Sequence, residues 1–114
     1  MDAQPLLAAD RTGQIHLPAE TQFADHGIVS RTVLQAETFR VVLFGFDAGQ
    51  ELTEHTTARP ALVQILSGRC EWQLDGETRE LKAGDVLYMP PGVPHAVRAI
   101  ERFSMLLTLG NRPA

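Results

Sequence analysis

Beyond about residue 40, apolar and polar positions either alternate with period two or run apolar for four to six residues between turn signals. Residues 41–46 (VVLFGF) are dense in β-branched and aromatic side chains and stop at Asp47, Ala48 and Gly49, which predicts a strand followed by a turn. Residues 61–66 (ALVQIL) form a nearly continuous apolar run closed by Ser67 and Gly68. Cys70, Trp72 and Leu74 then alternate with Glu71 and Gln73, and Asp75-Gly76 supplies a two-residue hairpin signal. The returning strand is expected over residues 77–82, with Gly84 and Asp85 turning the chain again. Residues 86–89, 96–100 and 103–109 complete the set. Many short strands without a convincing amphipathic helix predict an all-β sandwich or barrel.

The N-terminal region follows a different rule. Residues 1–13 show no strong period and read as a loose lead-in, with one helical turn expected at residues 6–9. Residues 14–114 are then expected to form a single domain, since 114 residues suffice for one core and not two.

Composition narrows the function classes. Apolar residues make up 44% and charged residues 21%, ordinary for a globular protein, and the net charge of −4 supplies no basic footprint for nucleic acid. Nothing approaches the roughly 20 consecutive apolar residues that span a bilayer, so no membrane partner is expected. The first residues lack the basic and apolar regions of a signal peptide. Cys70 is the only cysteine, so no intrachain disulfide is available, and a cytoplasmic, reducing setting is expected. Its place in an alternating strand predicts a buried, inert thiol.

The most specific pattern is Gly84-x5-Pro90-x-Gly92-x2-His95: a turn, a short apolar strand, a proline–glycine turn, and a strand that begins with one imidazole. Upstream, Gly49-x5-His55 and Gly68 bracket another strand pair. Together these resemble the two sequence motifs of the cupin superfamily, the second completely and the first in part. Residues 28–109 resemble a group of small single-domain bacterial cupins (RmlC-like) of unassigned function. The resemblance implies a jelly-roll barrel (a double-stranded β-helix), a central pocket and a homodimer.

The resemblance also implies a divalent metal (iron, manganese, nickel, copper or zinc) held by three histidines and a glutamate. Here His55 and His95 stand at two of those positions, while Thr57 replaces the second histidine and Ala61 the glutamate. Three protein ligands are the usual minimum for a tight catalytic site, so any metal is expected to be weak or optional. Gln64 and Glu54 are near in sequence, but strand parity points both away from the interior. A bulge would bring Gln64 in, which leaves it a weak candidate ligand.

Pleating sets the other expectations. Thr53 and Thr57 should share the face of His55, and Val97 and Ala99 that of His95. With the cupin alignment, Ala61, Val63 and Ile65 point inward while Leu62, Gln64 and Leu66 point outward, an apolar outer face that favours a dimer. Trp72 and Tyr88 are expected as core or pocket wall, His16 and His26 as surface groups, and Arg59 as a solvated loop residue. A small-molecule pocket formed by His55, Thr57, Trp72 and His95 is the expectation. A metal-dependent dioxygenase or isomerase using the same two histidines is the alternative, and metal-free acid–base chemistry a third.

Overall fold

Asp75 and Gly76 both adopt positive φ, +50° and +87°, so the hairpin they form twists with its strands as a type I′ turn does. It joins two of the nine strands in the computed structural model, which describes residues 4–110. One short helix, α1 (Leu17–Glu20), precedes β1 (Ile28–Gln35), β2 (Phe39–Phe46), β3 (Glu51–His55), β4 (Ala61–Ser67), β5 (Arg69–Leu74), β6 (Glu77–Lys82), β7 (Val86–Met89), β8 (His95–Ala99) and β9 (Phe103–Gly110).

The strands form two sheets, ordered β1-β2-β9-β4-β7 and β3-β8-β5-β6, and the seven pairings are all antiparallel. Neighbours such as β4 and β9 lie far apart in sequence, the arrangement of a jelly roll. Between the sheets lie Phe46, Val63, Ile65, Cys70, Trp72, Val97, Ala99, Phe103 and Met105, all buried. Phe46 and Phe103 stack at 4.6 Å at the closed end of this core. Burial follows parity on β4, where Ala61, Val63 and Ile65 are inside and Leu62, Gln64 and Leu66 are not, as the sequence led one to expect.

Residues 6–9 are not helical. The amides of Leu6 and Leu7 donate to the carbonyls of Thr32 and Val33, so that segment lies along the open edge of β1 instead. The short helix falls later and owes its start to Pro18, preset for a first helical turn. From α1 the chain crosses the outer face of the larger sheet. Gly45 permits that crossing, because a Cβ there would collide with the Gln22 carbonyl. The crossing is clamped by Arg31 on Glu20 at 3.0 Å, and by Arg102, which reaches Asp25 and Asp47 at 3.3 Å each and lies over the Phe23 ring. No helix among the described residues is long and apolar enough to cross a membrane.

Candidate ligand-binding site

His55 and His95 face each other across the β3–β8 pair, their ring centroids 4.2 Å apart. Regular pleating would not put them there together with Leu52. The register runs from Leu52↔Val97 directly to His55↔His95, so Thr53 and Glu54 together oppose Ala96 alone. That β-bulge turns both Leu52 and His55 into the barrel. Thr53 therefore does not share the face of His55, contrary to the parity expectation; it lines a groove on the outer face with Glu51, Glu54, Glu71 and Arg98. Its carbonyl has a different use, accepting the Nδ1–H of His55 at 2.8 Å.

His95 is held the same way, with Nδ1 donating to the Val93 carbonyl at 2.9 Å. A carbonyl oxygen can only accept, so both Nδ1 atoms carry a proton, which leaves Nε2 of each ring as the nitrogen available to a ligand. Neither Nε2 has a partner among the described residues. His95 is buried, and His55 is exposed at the mouth.

Both rings open onto a cavity of about 340 Å³ inside the barrel. Thr57 and Trp72 line it as well, so four of the residues singled out from sequence converge. Thr57 receives the Arg59 amide on its hydroxyl at 3.3 Å, while Arg59 itself does not line the cavity. Trp72 lies nearly parallel to His95, at 28° and 6.0 Å between centroids, giving the cavity a flat aromatic wall. Apart from Thr56 the remaining wall is apolar, with Phe44, Leu52, Met89, Val97, Met105 and Leu107 prominent. No carboxylate, lysine or arginine is among the lining residues.

Gln64 is not part of the site. It pairs with Val86 and Leu106 in unbroken register between buried Val63 and Ile65, so it points outward; the bulge on β4 comes only after Ile65. Tyr88 lies on the outside too and is well exposed. Among the described residues no three histidine, cysteine or carboxylate side chains gather closely enough to hold a metal ion. The donor set thus stops at two imidazoles, half of what the motif resemblance implies.

Two buried side-chain nitrogens lack a hydrogen-bond partner among the described residues: Trp72 Nε1 and Arg40 Nε. Cys70, two residues before Trp72 on the same face, is fully buried, and that burial pushes its thiol up to about 11. The indole N–H beside it opposes the shift, from a geometry short of a hydrogen bond.

Two antiparallel sheets rolled around a histidine-bearing cavity define a jelly-roll barrel of the cupin class. Residues 42–109 match the cupin domain family, and the chain belongs to it. It is similar to a conserved protein of unknown function from Streptococcus pyogenes, with 35% identity, a TM-score of 0.81 and 91% of each chain covered. An RmlC-like cupin from Desulfovibrio desulfuricans gives 31% identity and a TM-score of 0.79, covering 88% of this chain and 97% of the other. KdgF from Halomonas sp. gives 26% and 0.73, covering 80% and 86%. No curated protein matches the chain.

Proposed function

We propose that this cupin binds a small organic molecule in the barrel cavity, with His55 and His95 as its polar fixtures. The observation that carries this reading is the pair of imidazoles, each locked by an Nδ1–H···O=C bond and each lining a mostly apolar cavity. Small-molecule sites have this composition: mostly apolar walls and a few polar groups held in place. The volume suits a ligand of about one ring rather than an oligomer.

The same hydrogen bonds favour a second reading, a metal-dependent enzyme of dioxygenase or isomerase type, because metal-binding histidines are oriented in this way. The residues do not fit a tight metal centre, however. Thr57 and Ala61 occupy the positions where the family motif supplies two further ligands, and Gln64 faces out. Two imidazoles completed by water would hold iron, manganese, nickel, copper or zinc only weakly. Elemental analysis of tag-free protein never exposed to chelator tests this. Well under about a tenth of an equivalent per chain is expected; near-stoichiometric metal lost in His55→Ala and His95→Ala would favour the enzyme instead.

The functional unit in this proposal is a homodimer. α1 and the segment through Phe23 cover one end of the outer face of the larger sheet, around Leu66 and Ser104. The other end exposes Phe39, Leu62, Val86 and Tyr88, an apolar patch next to the open edge of β7. A second copy of this chain would bury that patch.

A further inference from the structure

Arg40 is a cation without a visible purpose in the fold. It forms no ion pair or side-chain hydrogen bond among the described residues, and its Nε is buried without a partner. A buried, unpartnered guanidinium nitrogen is uncommon enough to need an explanation.

Its position supplies one. β2 pairs with β9 in unbroken register, Arg40↔Leu109, Val42↔Leu107 and Phe44↔Met105. Directly paired residues project to the same face of a sheet. Leu109, Leu107, Met105 and Phe44 all line the cavity, so Arg40 faces the barrel side as well. The row continues through Ala61 and Met89, two more cavity residues. This row closes the larger sheet at the mouth, where the pair His55↔His95 closes the smaller one. Arg40 does not line the inner volume; it stands at its rim.

On this basis we propose that Arg40 is a ligand-binding residue and that the occupant is a small monocarboxylate with an apolar body. The body lies against Trp72 and the methionines, and the carboxylate lies at the mouth against the Arg40 guanidinium. The walls hold no charge, so an ionised group inside the cavity would be desolvated without compensation, whereas at the rim a planar fork meets a planar carboxylate. One guanidinium with no ion-pair partner among the described residues matches one negative charge. This inference rests on the pocket reading above and adds to it the charge and polarity of the ligand.

Benzoate and benzamide, nearly equal in shape and different in charge, separate the two ideas. Trp72 is the only tryptophan, so a single indole N–H resonance reports occupancy of the cavity in an NMR titration. Benzoate is expected to bind about tenfold or more tighter than benzamide. Arg40→Gln should weaken benzoate about tenfold and leave benzamide within about twofold; Arg40→Lys, which keeps the charge and loses the fork, should fall between. A purely structural arginine would not change the ratio of the two affinities. Equal affinities in the wild type, unmoved in Arg40→Gln, would overturn the carboxylate assignment and leave the pocket standing. An indole resonance that neither probe moves would overturn both. Arg40 gives up no observed bond on substitution, so both variants should unfold within a few degrees of the wild type.

Discussion

His95 and His55 are the same chemical group in unequal settings, and they should respond differently to removal. His95 is buried beside Trp72, so His95→Ala takes away a packed ring and a polar fixture together. It is expected to abolish the Trp72 indole response to ligand and to cost about 1–3 kcal/mol of stability in denaturant titration. His55 is exposed at the mouth, so His55→Ala should weaken the ligand response while moving the unfolding midpoint by less than about 0.5 kcal/mol. Cys70 behaves as a small core residue. With its folded value raised to about 11 from 9.0, the thiol should resist a disulfide reagent at pH 8 until the chain unfolds. The sign of the linkage follows: the folded state holds this proton more tightly, so the contribution is complete below pH 9 and is lost as pH rises toward 11. A fall of stability across that alkaline window, reduced in Cys70→Ala, is the expected measurement.

At the level of the element, two kinds of glycine separate. Gly92 has φ +87° and open space where a Cβ would stand, so Gly92→Ala meets only the left-handed penalty, about 1 kcal/mol. Gly68 combines φ +76° with a Cβ position crowded by the Arg102 carbonyl and by Phe103 Cβ at 2.7 Å. Gly68→Ala should cost about 3 kcal/mol or more, visible as a much larger drop in Tm. Both glycines belong to the motifs, yet one only turns the chain while the other lets two segments meet. The bulge on β3 is an element-scale device as well. Deleting Thr53 would leave Leu52 and His55 two residues apart, so regular pairing would keep both facing the barrel, and both the fold and the indole response to ligand should survive.

The assembly is decided over the whole surface. Leu62, Val86 and Tyr88 alternate correctly for residues that face away from the core, and their exposure is the basis of the dimer proposal. Light scattering is expected to give twice the chain mass. Leu62→Glu with Tyr88→Glu should give a monomer that keeps its cavity and its indole response. A monomeric wild type would remove the dimer proposal without touching the site.

Much of this molecule could be read along the chain, because its signals are local. Alternation at Cys70, Trp72 and Leu74, the Asp75-Gly76 turn and the proline–glycine turn before His95 each depend on a few neighbouring residues. They sufficed for the hairpin of β5 and β6, whereas the inward set on β4 and the grouping of His55, Thr57 and His95 needed the resemblance to the cupin motifs. The helical turn expected at residues 6–9 failed because the free edge of β1 offered their amides better partners, a long-range choice that no local propensity records. Thr53 was misplaced because a bulge is a mismatch between two strands and has no signature within one of them. Gln64 stayed undecided for the same reason, until unbroken pairing with Val86 turned it outward. Arg40 was invisible as a site residue because nothing near it in sequence is polar in a telling way; only cross-strand register sets it beside Leu109 at the cavity mouth. Pattern and turn chemistry thus determined the strands and the class of fold, while register between distant strands decided which side chains share the cavity.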